Sequence, residues 1–287
     1  MSYAAAFPLA LAGFAVGLPA VLVAVLAGTA IVTFLSATTA AFYAVVFGLP
    51  TALLVRQALL ARGADEGSKQ SGAALEWYPL GPLTAWLAGW ASGLLVLAMA
   101  LTSGAEGGLP GYLAPGVENL LEVWLRVNDA GGKVDAKQLP EMATWIASLM
   151  PAVGAISWMV VIAANLALAQ AMARRLKKNL RPSPDFATLE LPRLFFVALG
   201  LSVLLAVAPG TLGFAGQTLA AIGAVAYFLQ GLAVIHGLAR LTSFPGLVLT
   251  GVYVVTGVLG FPVLVIVMLG LVDDWFRLRR KFGAART

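Results

Sequence analysis

The chain has 287 residues, of which 60% are hydrophobic and 11% charged, with a net charge of +5 and no cysteine. Soluble domains carry about 25% charged residues, so this composition excludes an ordinary soluble protein. The lack of cysteine excludes disulfides, thiolate metal sites and cysteine nucleophiles.

Long stretches without charged residues predict membrane-spanning helices. These stretches cover residues 1–55, 77–105, 142–173, 194–239 and 241–272. Each is longer than the roughly 20 apolar residues that cross a bilayer as a helix. Because the stretches are apolar on every face, they lack the alternation of transmembrane β-strands. The predicted fold is therefore an all-α, polytopic transmembrane bundle.

The first stretch, 1–55, is long enough for two helices. We predict spans at about 5–27 and 30–55, joined near Gly28-Thr29. Three shorter helices, broken at Pro8 and Pro19, are the alternative, since proline interrupts helical hydrogen bonding.

Two polar segments flank the next predicted helix, at about 79–101. The segment from Arg56 to Tyr78 has the composition of a surface loop. The segment 102–143 is net acidic, and within it apolar residues recur at i, i+3, i+4 and i+7 over 115–127. This spacing predicts an amphipathic helix, which we expect at the bilayer interface or capping the bundle.

The remaining stretches predict five helices. Their expected bounds are 144–173, 192–208, 214–239, 244–258 and 260–276. The last two require that 241–272 crosses twice, because a single crossing would place the basic C-terminal tail outside. The total is about eight helices (seven to nine), in a single transmembrane domain over 1–287.

The distribution of positive charge predicts the orientation. With eight crossings, both termini and the basic cluster 174–181 are cytoplasmic, and 15 of the 18 Lys and Arg residues lie on that side. We expect a bacterial inner-membrane protein whose cytoplasmic face attracts anionic lipids. Nucleic-acid binding is not expected, because these charges mark membrane topology.

A few polar residues within the apolar stretches are candidate ligand-binding groups. They are Asn165, Gln230, His236, Arg240 and Asp273. Ionisable groups in a membrane are costly and often functional. The alternatives are an interhelical hydrogen bond for each amide, an interfacial location for His236 and Arg240, and an ordinary helix end for Asp273.

Catalytic and metal-binding motifs are missing from the sequence. It has no phosphate-binding GxxxxGK[ST] loop, no HExxH motif and no GxSxG motif. We therefore expect neither enzymatic activity, nor a metal, nor a cofactor.

Short motifs in the C-terminal third resemble the YybS-like family of predicted bacterial multipass membrane proteins. They are Phe228-Leu-Gln-Gly-Leu-Ala-Val-Ile-His236, Gly270-Leu-Val-Asp-Asp-Trp275 with the arginines after it, and Leu191-Pro-Arg-Leu194. The resemblance covers 190–280 best and 5–280 loosely. It implies a helical membrane protein without an established activity. A distant similarity to the substrate-binding subunits of energy-coupling-factor transporters would imply a small-molecule pocket inside the bundle.

These observations support two functions. The first is a non-enzymatic component that binds or transports a small solute. The second is a structural or assembly subunit that docks other membrane proteins through 115–127 and the basic cluster 174–181. The expected partners are other members of a membrane-protein complex or, in a homo-oligomer, a second copy of the chain.

Overall fold

The computed structural model describes residues 3–62, 75–128 and 138–276, most of which are helical. In chain order the helices are α1 (Ala6–Val16), α2 (Leu18–Thr33), α3 (Ala37–Tyr43), a π-helix (Ala44–Gly48), α4 (Leu49–Ala58), α5 (Leu80–Leu101), α6 (Gly108–Val127), α7 (Leu139–Arg175), a 3₁₀ turn (Phe186–Thr188), α8 (Arg193–Ala206), α9 (Gly210–Ala239), α10 (Pro245–Leu259) and α11 (Pro262–Phe276). Two short strands, β1 (Ala61–Arg62) and β2 (Glu76–Trp77), pair antiparallel. The all-α class is confirmed.

Four helical stretches in the described part of the chain are long and apolar enough to cross a membrane. They are Ala37–Ala58, α5, α7 and α9. Shorter apolar helices are α1, α2, α8 and α10. Large apolar side chains such as Phe34 and Val207 are more than four-fifths exposed. Soluble monomers rarely expose extensive apolar surface, whereas lipid chains solvate it favourably.

The N-terminal helix boundaries differ from the prediction. The join expected near Gly28-Thr29 is wrong, because α2 runs through both residues to Thr33. Breaks occur instead at Gly17, whose φ of 117° favours glycine, and over residues 34–36. Three helical segments therefore cover this stretch, as in the alternative, but α1 runs unbroken through Pro8. Gly28 instead allows the Tyr43 ring to pack closely against α2, because a Cβ at this position would clash with that ring. How often 1–55 crosses the membrane stays a prediction.

The C-terminal half has helix breaks near the expected positions. α8 ends three residues before Pro209, and α9 begins at Gly210. Gly260, with a φ of 70°, separates α10 from α11. Most of the polar segment after Arg62 and the basic tail from Arg277 onward lie outside the described residues. The number of crossings in 241–272 stays a prediction.

Residue contacts divide the chain into two units. Unit 1 comprises Met1–Trp90, Met159–Phe196 and Ala224–Thr287, and unit 2 comprises Ala91–Trp158 and Val197–Gly223. The core of unit 1 joins α1, α2, α4 and α7 through Leu9, Ala10, Phe14, Val21, Val25, Ala52, Val55, Ala58, Ala169 and Ala173. In unit 2, Val117 of α6 packs against Ala143 and Ala147 of α7. The amphipathic helix predicted over 115–127 is thus present as part of the longer α6.

Where the π-helix meets Pro50, a tryptophan side chain donates a hydrogen bond to a backbone carbonyl. In the π-helical pattern, the N–H of Leu49 donates to the carbonyl of Ala44. The next residue, Pro50, has no N–H to continue that pattern to Val45. The indole Nε1 of Trp90 donates to the Val45 carbonyl instead, at 3.1 Å. This hydrogen bond joins α5 to the π-helix within unit 1.

Trp90→Phe is expected to destabilise the protein by about 1 kcal/mol, because it leaves the Val45 carbonyl without this donor. The measurement is thermal unfolding in detergent. Trp86→Phe is the matched control, because the Trp86 indole donates to the Tyr78 hydroxyl in an exposed position. An equal loss of stability in both variants would contradict the role assigned to Trp90.

Candidate functional site

Gln230 lies at a close crossing of α9 and α11. A Cβ on Gly231 would clash with the Ile266 carbonyl, and one on Gly270 would clash with the Tyr227 carbonyl. Two glycines facing each other therefore allow the helix backbones to approach. Gln230 is fully buried at this crossing.

Both ends of the Gln230 amide are hydrogen-bonded. Its Nε2 donates to the Gly270 carbonyl at 3.1 Å and to Asp274 Oδ1 at 2.7 Å. Its Oε1 accepts from the backbone N–H of Leu191 at 2.9 Å. Gln230 thus connects α9 to α11 and to the segment before α8. This is the interhelical role weighed for it as an alternative to ligand binding.

Asp274 contributes a carboxylate to this crossing. Its second oxygen, Oδ2, accepts from the Tyr227 hydroxyl at 2.7 Å. Asp273, the acidic residue predicted for the site, is buried on the same helix. Tyr227 was not among the predicted residues, although its spacing of three residues from Gln230 places both on one face of α9.

His236 lies further along α9 and contacts aromatic rings. Its Nδ1 is 2.9 Å from the Leu232 carbonyl, and a carbonyl only accepts, so the proton is assigned to Nδ1. The imidazole makes edge contacts with Phe186 and Tyr253, at centroid distances of 5.2 and 6.0 Å. The ring is held by packing and by its own helix.

Arg240 forms a two-pronged ion pair with Asp185, just before the 3₁₀ turn. Its Nη1 and Nη2 each donate to one carboxylate oxygen at 2.6 Å. These hydrogen bonds lower the pKa of Asp185 below its ordinary value, although partial burial opposes the effect. The same bonds raise the pKa of Arg240. Both side chains are substantially exposed, so the pair contributes little to stability.

Asp185→Asn is expected to cause a small, pH-dependent loss of stability. Because the folded pKa of Asp185 is lowered, the stabilisation is present above the ordinary carboxyl pKa of about 3.9. It is lost as the pH falls through the lower folded value. Melting temperatures of both proteins, measured in detergent across the acidic range, should converge below about pH 4. A difference that grows in acid would contradict this ion pair.

Asn165 holds the N-terminal segment. Its Nδ2 donates to the carbonyl of Tyr3 at 2.8 Å and to the carbonyl of Val161 at 2.7 Å. The first bond joins α7 to the residues before α1. This arrangement also corresponds to a structural role.

A mainly apolar cavity of about 610 Å³ lies within unit 1. Binding sites for small molecules occupy roughly 300–1,000 Å³ and combine apolar walls with a few polar groups. Side chains from α1, α4, α5, α7, α9 and α10 and from the segment after α7 line it. Its polar lining residues are Thr84, Gln170, Arg174, Arg181, Ser183 and Tyr253.

Arg181 is the most unusual polar group at this cavity, since only 4% of it is exposed. Nη1 donates to the Ala58 carbonyl at 2.7 Å, and Nη2 to the Tyr78 carbonyl at 3.3 Å. The guanidinium carbon lies 5.8 Å from the centre of the Trp77 ring. Nε has no hydrogen-bond partner among the described residues. Burial lowers the pKa of Arg181, yet an arginine stays protonated near neutral pH.

None of the five predicted site residues is among the described residues that line this cavity. Gln230 meets Asp274 at the helix crossing, His236 and Arg240 lie near Phe186 and Asp185, and Asn165 lies at the N-terminal segment. From the sequence, Arg181 is noted only as one member of the basic cluster 174–181, which predicts the membrane orientation. Nothing in that cluster marks it as the buried member.

In residues 3–62, 75–128 and 138–276, no group of three or more His, Cys, Asp or Glu side chains is placed to hold a metal ion.

Comparison with known proteins gives one family. A family model described as "Predicted membrane protein (DUF2232)" matches residues 1–274. No curated protein and no solved structure gives a significant match. Because the match covers nearly the whole chain and the helices are apolar, this chain belongs to the DUF2232 family of predicted membrane proteins.

Proposed function

We propose that this protein is a non-enzymatic inner-membrane component that binds a small, mainly apolar molecule, for storage or transport, in the cavity of unit 1. The observation that carries the proposal is the cavity itself, with its size and its apolar lining. Small residues of α7, including Ala163, Ala167 and Ala171, contribute much of one wall. Gln230 and the other predicted polar residues support the surrounding helices. The resemblances to YybS-like proteins and to energy-coupling-factor subunits remain part of this proposal.

Photo-crosslinking tests the proposal. The protein in nanodiscs is illuminated with a diazirine-bearing long-chain alcohol, and the labelled peptides are identified by mass spectrometry. We expect labelling of the α7 and α9 residues that line the cavity, and a strong decrease in Ala167→Trp, because the indole takes up part of the space that the probe needs. Ala198→Trp is the control, since Ala198 is exposed on α8 and does not line the cavity. Equal labelling in the two variants would refute the proposed site.

The membrane orientation forms part of the same proposal. In the bacterial inner membrane, both termini are cytoplasmic and the acidic segment 102–143 faces outward. Single cysteines at Ser68, Ala130 and Ala285 are expected to be labelled by an impermeant maleimide only from the inside, only from the outside and only from the inside, respectively. The cysteine-free background makes each signal specific. Labelling of positions 130 and 285 from the same side would contradict the eight-crossing topology.

Self-association through α6 is the second candidate function. Leu120, Val123 and Trp124 of this amphipathic helix are each more than half exposed. A helix with exposed apolar residues can pack against a second copy of the chain. A cysteine in place of Leu120 should then form a disulfide-linked dimer in membranes under mild oxidation, whereas a cysteine in place of Ser202 on α8 should not. The absence of a dimer with Leu120→Cys would remove this candidate.

A further inference from the structure

The cavity of unit 1 carries positive charge at one end. Arg174 and Arg181 both line it, and its described lining residues include no Asp or Glu. A buried arginine is ordinarily paired with a carboxylate or a phosphate, because an unpaired charge in a low-dielectric surrounding is costly. The hydrogen-bond partners of Arg181 here are neutral carbonyl groups. The charge at this end of the cavity is therefore left without a counter-charge among the lining residues.

Two polar atoms at the same end also lack partners among the described residues. Nε of Arg181 is a free donor, and Oε1 of Gln170 is a free acceptor. The Gln170 amide cannot be reversed without loss, because its Nε2 donates to the Arg181 carbonyl at 3.0 Å. Buried polar groups in native proteins are nearly always satisfied. Both of these atoms have almost no exposed surface, so they mark unpaired polarity beside the cavity and are not themselves open to a ligand in it.

A purely structural role accounts for only part of this arrangement. The Nη1 and Nη2 bonds fix the segment after α7 to the end of α4 and to the residues before α5. Those bonds would suffice to position the loop, and they leave Nε unused. The rest of the cavity is formed by apolar side chains of α5, α7 and α9, such as Leu87, Met159 and Leu229.

We infer that the cavity binds an amphipathic anion, with a phosphate or carboxylate head group at Arg181 and Arg174 and an apolar chain between α5, α7 and α9. This inference rests on the proposed binding function and specifies its ligand class. Charge-assisted hydrogen bonds to a buried guanidinium are stronger than neutral ones, so the anionic head should add to the affinity contributed by the chain.

The test compares two photo-probes with the same chain and different heads. Diazirine-bearing hexadecyl phosphate and the matching hexadecanol are crosslinked to the full-length protein in phosphatidylcholine nanodiscs. At about pH 7 the phosphate is charged. We expect the phosphate probe to label the cavity residues at about tenfold lower concentration than the alcohol, from the strength of hydrogen bonds to charged groups. Unlabelled hexadecanoate should compete, whereas inorganic phosphate should not, which separates an amphiphile from a free anion.

Variants of the arginines sharpen this comparison. Arg181→Gln should remove the preference for the phosphate probe while leaving alcohol labelling, and Arg181→Lys should retain part of it. Arg175→Gln is the matched control, because Arg175 belongs to the same basic cluster but is exposed and does not line the cavity. If Arg181→Gln fails to fold, the anion inference is still tested by Arg174→Gln. It is also tested by the comparison of the two probes on the unmodified protein.

The outcomes separate the two proposals. Equal labelling of the cavity by both probes would overturn the anion inference and leave the proposed function standing. A failure of both probes to label the cavity would overturn the proposed function itself. Competition by inorganic phosphate as effective as that by hexadecanoate would overturn the assignment of an amphipathic ligand.

Discussion

Gln230→Leu is expected to destabilise the protein by about 3–4 kcal/mol, because it orphans several buried partners at once. Leucine has a similar volume, so little of this loss comes from an empty space. The Leu191 N–H, the Gly270 carbonyl and the Asp274 carboxylate each lose the hydrogen bond that Gln230 provides. The measurement is unfolding in detergent, followed by loss of helical circular dichroism.

Gln217→Leu supplies the matched control on the same helix. Gln217 is exposed and makes a single 3.3 Å hydrogen bond to the Ala206 carbonyl. Its replacement should change stability by less than about 0.5 kcal/mol, as for most exposed positions. If the two leucine variants unfold alike, the hydrogen bonds of Gln230 do not hold α9 and α11 together.

Gly270→Ala is expected to destabilise the protein by about 2–3 kcal/mol, the upper part of the range observed when atoms are forced into a closely packed contact. The added methyl group meets the backbone carbonyl of Tyr227, which cannot rotate away as a flexible side chain can. α9 and α11 must then separate, and the hydrogen bonds from Gln230 to α11 lengthen. Stability and the hydrogen-exchange protection of α11 should both decrease.

Gly89→Ala is the corresponding control, since a Cβ at Gly89 on α5 has no neighbour within 4 Å. Alanine favours helix over glycine by up to about 1 kcal/mol, so this variant should be neutral or slightly stabilised. Destabilisation of Gly89→Ala equal to that of Gly270→Ala would show that the close crossing is not the cause.

The sequence predicted the fold class because the apolar stretches leave no other way to satisfy the backbone in a bilayer. It located the breaks at Pro209-Gly210 and near Gly260, where residue type alone limits the helix. It placed a join at Gly28, which lies inside α2, and came near the break at Gly17 only through the alternative at Pro19. A glycine that ends a helix and one that admits a neighbouring ring look alike in sequence. In the structure, the φ of Gly17 and the packing of Tyr43 against Gly28 distinguish them.

The candidate site was less accessible from the sequence. An amide within an apolar stretch marks Gln230 as a residue that needs partners, and the partners found are on α11 and before α8. The cavity is a space between side chains of several helices, and such a space has no pattern along the chain. Arg181 differs from Arg174 and Arg175 in its burial, which depends on the ends of α4 and β2 rather than on its neighbours in sequence.

The π-helix between α3 and α4 has a consequence for how this chain tolerates changes in length. A π-helical turn accommodates one residue more than the α-helix around it, without rotating the helix beyond it. Deleting one residue between Ala44 and Gly48 would restore the ordinary spacing and keep the buried faces of α3 and α4 aligned. A deletion elsewhere in these helices would rotate the residues after it by about 100°. The segment that Trp90 holds in place is thus the point of this helix best able to lose a residue.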